Sequence, residues 1–289
     1  TTKKQALGHH FKIDTRVLSY LNSPTDTYRA TAGYNGQLDE NTFCNITGAL
    51  TYAKNTYLLP NNKPQHHNGL KEGKGSTSIT KYFDGWDLSL SDEIYAGTKE
   101  FHGTMWAQDY ATQNDINNNL SITADFPLLS EGIKFTSSVA WKTTNQYYKS
   151  VSEDSTHNLN TVNLTGALNF EKNNSYTLGW NLFYDDLRST DTDYHNVFRG
   201  TIKDNVTLYL SDRWSLVIPV ALSFMGKDFS WIPGVGAEYA LPSGKDNLFK
   251  SFYINCSRMH LFPNLNQLYW KENAYAKGNP NLKPEDGLG

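Results

Sequence analysis

The sequence predicts an all-β protein, an antiparallel sheet of long strands for which a transmembrane β-barrel is the best-fitting arrangement. Three observations lead there. Apolar and polar residues alternate with period two along most of the chain. The alternating runs extend for roughly 10–13 residues, where strands of soluble domains average about 5–6. Aromatic residues recur near the ends of the apolar faces, as they do at the two edges of a membrane-spanning strand. The 289 residues are 38% hydrophobic, 13% aromatic and 19% charged, outside the disordered, collagenous and coiled-coil classes. A mean hydropathy of −0.58 and the lack of an apolar run of about 18 residues exclude a transmembrane helix. They do not exclude a barrel, whose spanning strands need only about 9–11 residues, half of them polar.

Taken in order, Phe11 to Ser19, Tyr28 to Leu38 and Cys44 to Tyr52 read as three strands, the last two joined at Asp39-Glu40-Asn41. The segment from Asn55 to Asn119 breaks the pattern. Its only clear alternation is Trp86, Leu88 and Leu90, continuing to Ile94, and it holds Pro60, Pro64, His66-His67 and a Gly- and Lys-rich stretch from Gly69 to Gly75. It therefore reads as a large external loop, roughly residues 56–116, with room for a hairpin of its own. The tandem histidines have no third ligand at a fixed spacing and predict no metal site.

Regular hairpins follow. Leu120, Ile122, Ala124 and Phe126 turn through Pro127 to Gly132 into Ile133, Phe135, Ser137, Val139 and Trp141. Val162, Leu164, Gly166, Leu168 and Phe170 turn at Glu171 to Ser175 into Tyr176, Leu178, Trp180, Leu182 and Tyr184. Val206, Leu208 and Leu210 turn at Ser211-Asp212-Arg213 into Trp214, Leu216, Ile218, Val220, Leu222 and Phe224. Val235, Ala237, Tyr239 and Leu241 lead through Pro242 to Asn247 into Phe252, Ile254 and Cys256. That gives about eleven strands. Tight turns alternate with longer polar links such as Asn145 to Asn158 and Arg188 to His195, the asymmetry of outer-membrane barrels.

A soluble β-sandwich also alternates, with its apolar face turned inward. The opposite face carries Lys12, Asp14, Arg16, Lys134, Lys142, Asp185, Arg199 and Lys203 among Asn, Thr and Ser, which fits a polar lumen but also a solvated surface. Both arrangements therefore stand on the pattern alone. They differ on where Leu216, Ile218, Val220 and Leu222 point: to lipid in a barrel, into a core in a sandwich.

Several function classes fall away. A net charge of −3 with scattered cations leaves no footprint for nucleic acid. Cys44 and Cys256 form neither a disulfide framework nor a thiolate metal site. No GxSxG, HExxH or P-loop pattern is present, and Asp185-Asp186 and Glu153-Asp154 read as rim and loop charges, so no enzyme and no cofactor is expected. Sequons such as Asn119-Leu120-Ser121 are expected by chance in a chain so rich in Asn and Thr. The beginning at Thr1-Thr2-Lys3-Lys4 and the end at Asp286-Gly287-Leu288-Gly289 read as those of a piece of a longer product.

The last third carries a specific signature. Tyr253 to Arg258, then Pro263-Asn264-Leu265-Asn266-Gln267-Leu268-Tyr269-Trp270, then Gly278-Asn279-Pro280-Asn281-Leu282-Lys283-Pro284-Glu285 resembles TonB-dependent outer-membrane receptors. The matching residues are Arg258, Pro263, Leu268, Tyr269, Gly278, Asn279, Pro280, Leu282, Pro284 and Glu285, within residues 253–285. Their chemistry fits a loop and a strand start: the prolines stop pairing, Gly278 permits an unusual dihedral, and Glu285 accepts hydrogen bonds as the chain re-enters the sheet.

The resemblance implies that residues 1–289 are a partial barrel domain, about half of a 22-stranded barrel, with the plug domain absent. It implies a Gram-negative outer membrane, lipid around the wall, and uptake of a scarce nutrient energised by the TonB complex through the missing plug. A siderophore, haem, cobalamin or a glycan would be the ligand. Loop aromatics would then contact it, with Tyr147, Tyr148, Tyr269, Trp270 and Tyr275 as the candidates. The competing reading is a soluble extracellular β-sandwich that binds carbohydrate through exposed aromatics.

Overall fold

The computed structural model describes residues 8–18, 26–55, 57–58, 64–65, 67–102, 110–130, 132–241, 251–272 and 277–289. The strands are β1 (His9–Leu18), β2 (Thr27–Asp39), β3 (Thr42–Ala53), β4 (Tyr57–Leu58), β5 (Pro64–Gln65), β6 (Leu70–Phe83), β7 (Trp86–Phe101) and β8 (Ala111–Ser130). They continue as β9 (Ile133–Lys149), β10 (Asp154–Glu171), β11 (Ser175–Ser189), β12 (Asp193–Tyr209), β13 (Trp214–Met225), β14 (Asp228–Ala240) and β15 (Ser251–Leu261). A short helix α1 (Leu265–Tyr269) precedes β16 (Glu285–Leu288). Fourteen strands form one sheet in chain order, β1-β2-β3-β6 and then β7 through β16, while β4 and β5 pair separately.

The turns follow from local chemistry. At the β2–β3 turn, Asp39 accepts hydrogen bonds from the Asn41 N–H and the Thr42 hydroxyl, both at 2.9 Å. Gly85 and Gly132 take φ of +80° and +74°, a region costly for side-chain-bearing residues. Ser211 Oγ accepts from the Arg213 and Trp214 N–H groups at 3.3 and 3.1 Å, closing the β12–β13 turn.

The chain divides into two compact units. The first comprises residues 1–122, 140–161 and 186–194, the second residues 123–139, 162–185 and 195–289. In the first, the register of β1, β2, β3, β6 and β7 stacks Ile13 on Ala32, Ala30 on Leu50, and Ile79 on both Cys44 and Leu90, an apolar face. The opposite face of those strands carries Lys12, Asp14, Arg29, Thr31, Thr47, Lys74, Ser76 and Glu93. In the second unit, Val206, Ile218, Leu208 and Leu216 share one face, continued by Ala237 and Ile254.

The apolar faces have no layer over them. Among the described residues the buried hydrophobic ones are only Cys44, Ala53, Ala111, Leu187 and Leu268, and no large side chain is fully buried. Ile13 is 80% exposed, Leu50 68% and Ile254 74%. A sandwich of this size would press alternate side chains into a core about 10 Å thick. Leu216, Ile218, Val220 and Leu222 remain partly exposed, so the core that the sandwich requires is not formed.

Aromatic pairs mark the edges of the apolar face. Toward the tight-turn ends stand Phe11–Tyr34 (ring centroids 4.9 Å), Phe83–Trp86 (4.2 Å), Phe170–Tyr176 (6.0 Å) and Trp214–Tyr239 (4.8 Å). Toward the other ends stand Tyr28–Tyr52 (6.4 Å) and Phe198–Phe224 (5.2 Å). From Trp214 to Phe224 the strand runs roughly 33 Å at about 3.3 Å per residue, which a tilt near 45° reduces to about 23 Å, close to the ~25 Å apolar band of such barrels.

The structure corrects one expectation. The span 56–116, expected to be an external loop, contains β6 and β7, strands of 14 and 16 residues that belong to the main sheet. Gly73, Gly75 and Thr77 occupy apolar-face positions of β6, so only Ile79 and the terminal Phe83 mark that face with a large apolar side chain. Backbone pairing forms it regardless. The strands are also more numerous and longer than the pattern suggested, with β8 reaching 20 residues, because polar residues continue the ladders beyond the apolar band.

Candidate functional site

A concavity of about 650 Å³ lies on the polar face of the first unit. Lys12 enters from β1, Arg29 and Thr31 from β2, Thr47 from β3, Lys74 and Ser76 from β6, Glu93 and Tyr95 from β7, and Lys142 from β9. Period-two geometry delivers these residues to one side because each alternates with an apolar-face neighbour such as Ile13, Ala30 or Gly73. Thr47 and Ser76 hydroxyls bond at 2.6 Å, fixing the floor. Lys74 Nζ sits 3.3 Å from Glu72 and 5.5 Å from the Tyr95 ring centre. Lys12, Arg29 and Lys142 have no ion-pair partner among the described residues. The lining thus sets four cations against the single carboxylate of Glu93. Asn117 also lines it, with a buried Oδ1 that has no hydrogen-bond partner.

Toward the loop ends of the same unit, Asp115 is a buried anchor. It accepts from Lys99 Nζ at 3.0 Å, Gln113 Nε2 at 2.8 Å and Gln146 Nε2 at 3.1 Å, tying β7, β8 and β9 together. In the second unit Arg199 Nε donates to Asp185 at 2.7 Å while its guanidinium lies 4.2 Å from the Phe183 ring centre.

The candidate ligand contacts are distributed as follows. Tyr147 and Tyr148 are consecutive on β9, so their side chains leave opposite faces, and Tyr147 Oη donates to Asp154 at 3.2 Å. Tyr269 closes α1 with its ring stacked on His195 at 3.7 Å and 12°. Trp270 follows as the C-cap, half-buried, its carbonyl accepting from the Gly278 N–H at 2.9 Å. Tyr275 lies outside the described residues, as does His66. His67 Nε2 is 3.0 Å from the Ala111 carbonyl, its ring against Tyr110. Arg29, Lys74, Glu93 and Asn117 were missed by sequence reasoning; the parity of Arg29 relative to Tyr28 and Ala30 already placed it on the polar side, while Lys74 and Glu93 fell in the span read as a loop.

The motif residues build a loop that returns the chain to the sheet. Asn264 caps α1 in a reciprocal capping box with Gln267, and Leu268 is buried beneath it. The Asn279 N–H donates to the Gln267 carbonyl at 2.8 Å and the Leu282 N–H to the Asn279 carbonyl at 3.0 Å. Pro263 and Pro284 are half-buried on either side, Pro280 sits in the turn, and Glu285 opens β16. Gly278 is required by space: a Cβ there would overlap the Trp270 nitrogen and come within 2.7 Å of the Tyr269 nitrogen. Gly278→Ala is therefore expected to displace α1 and destabilise the loop by roughly 1–3 kcal/mol, measurable as faster proteolysis between β15 and β16.

Arg258 and Asp286 clamp β16 onto β15. Arg258 Nη2 donates to Asp286 at 2.7 Å and Nη1 to the Trp231 carbonyl at 2.9 Å, while His260 Nδ1 lies 2.9 Å from the same carboxylate.

One unlayered antiparallel sheet, apolar and aromatic-edged on one face and charged on the other, defines the wall of a transmembrane-type β-barrel. No protein-family profile and no curated protein matches the sequence. Its structural neighbours include siderophore receptors and a copper transporter. The siderophore receptor PirA from Pseudomonas aeruginosa aligns with a TM-score of 0.75 at 14% identity, over 99% of this chain and 52% of that one. The copper transporter OprC aligns at 0.71 and 12%, over 98% and 50%. The alcaligin outer-membrane receptor FauA from Bordetella pertussis aligns at 0.60 and 11%, over 87% and 43%. At such identities the likeness is one of fold, and the chain spans about half the length of these receptors.

Proposed function

We propose that this chain is the barrel-wall segment of an outer-membrane receptor of a Gram-negative bacterium, taking up a scarce nutrient with energy from the TonB complex. The observation that carries the reading is the uncovered apolar face, because an open sheet exposing residues such as Ile13 and Leu50 is stable only where lipid replaces the missing layer. Membrane lipid, TonB acting through a plug, and a small ligand are the partners, and no catalytic chemistry is assigned.

The excess of cations in the 650 Å³ cavity supports an anionic ligand, such as a siderophore or haem, over a neutral glycan. Structural neighbours include a siderophore receptor and a ferric enterobactin receptor, which are compatible with that choice, beside a copper transporter. Tyr148, near the end of β9, and Trp270 are retained as aromatics for ligand stacking, with Tyr147 and Tyr269 held in contacts of their own.

The test is uptake by cells expressing the full-length protein, with and without a functional TonB. TonB-dependent accumulation of an anionic iron chelate supports the reading. Equal accumulation in both strains, or recovery of the full-length protein in the soluble fraction, overturns it.

A further inference from the structure

We propose that the apolar face of β11, β12 and β13 docks, inside the membrane, a second membrane protein that sets a lysine or arginine against Asp204. The inference rests on the barrel reading above.

Asp204 stands on the apolar face of β12. Its cross-strand partner is Val220, and Ile202 and Val206, paired with Leu222 and Ile218, flank it on that face. On the β11 side, a Cβ at Gly179 would meet the Lys203 side chain, which aligns Leu178 with Asp204 on the opposite face. Every neighbour on its side is therefore apolar. Asp204 is exposed and has no hydrogen-bond or ion-pair partner among the described residues.

Its depth is central. Val220 lies between Trp214, which pairs with Tyr239 at one edge of the band, and Phe224, which pairs with Phe198 at the other. β11 and β13 flank β12 on its two sides in the sheet. The charged Lys203 and Arg199 of the same strand belong to the other face and point away from it.

A carboxylate surrounded by hydrocarbon is costly, and so is a lone cation at the same depth on another membrane protein. Bringing the two together relieves both costs at once, while the surrounding Leu178, Ile202, Val206 and Val220 supply contact area. A second copy of this chain offers only Arg258 at that depth on its apolar face, and that guanidinium is already held by Asp286 at 2.7 Å and the Trp231 carbonyl at 2.9 Å; Lys71 and Lys81, on the apolar face of β6, lie toward its two ends, and Arg188 lies at the end of β11. Charge complementarity therefore favours a different protein.

The experiment uses the full-length protein in its native outer membrane with a photo-crosslinking residue at Val206. The expected product joins it to a different membrane polypeptide that carries a lysine or arginine at mid-depth. Asp204→Lys should reduce that product at least tenfold, and replacing the partner's cation with aspartate should restore it. Asp204→Leu, which suits lipid and should assemble normally, should reduce it as well. Crosslinks to lipid alone, to a second copy, or to a polypeptide whose capture is indifferent to Asp204→Lys would each overturn the proposal while leaving the barrel reading intact. Failure of that reading would instead appear as protein absent from the membrane fraction.

Discussion

Ile122→Arg is expected to destabilise the membrane-inserted protein by about 2–4 kcal/mol, whereas Ser121→Arg, one residue earlier on β8, should cost far less. Ile122 is 50% exposed on the apolar face, and Ser121 shares a 2.7 Å hydroxyl contact with Ser91 on the polar face. A charged guanidinium at the first position meets hydrocarbon; at the second it meets water and loses one weak hydrogen bond. Urea titration of the full-length protein refolded into lipid bilayers measures both. Near-equal losses at the two positions would contradict the assignment of faces. A soluble protein with this apolar face in water would give the opposite ranking, since arginine at an exposed apolar position would improve its solvation.

The second large effect concerns the cavity. Arg29→Glu combined with Lys142→Glu should weaken binding of an anionic ligand by at least about tenfold while leaving a neutral ligand within about twofold. The basis is that one ion pair at about 4 Å contributes ~1 kcal/mol in water and ~4 kcal/mol at an effective dielectric of 20, and 1.4 kcal/mol is a factor of ten. Both side chains lack ion-pair partners among the described residues, so their reversal breaks no salt bridge of the sheet. Equilibrium binding to the full-length protein, repeated at two salt concentrations, provides the readout. A mutant that binds anionic ligand as the parent does would remove the cavity from the ligand's path. An assembled barrel, checked by resistance to denaturation in detergent, separates this outcome from misfolding.

The legibility of this fold varied along the chain for physical reasons. Where bulky apolar residues alternate with polar ones, as from Val162 to Tyr184 or Trp214 to Phe224, strand, face and hairpin turn could all be read, since the pleat alone sets the period. In β6 the same backbone pairing occurs with Gly73, Gly75 and Thr77 on the apolar side. There the periodicity has no amplitude, and only pairing with β3 and β7 reveals the strand. Candidate loop aromatics were legible as residue types, but the contacts that occupy them were not. Tyr269 meets His195 across 74 positions of sequence, a distance no local pattern encodes.

The sequence by itself determined the alternation, the long strands, the tight turns and the polar character of one face, because each follows from local backbone geometry and side-chain chemistry. It left open which way the apolar face points, since alternation is identical in a sandwich and in a barrel. Tertiary structure decided that question by leaving the face without a second layer. It also gathered Lys12, Arg29, Lys74 and Lys142 from four strands into one cavity and left Asp204 alone among apolar neighbours. Both outcomes depend on register between strands, and register is a property of pairing across the sheet, fixed only when distant segments meet.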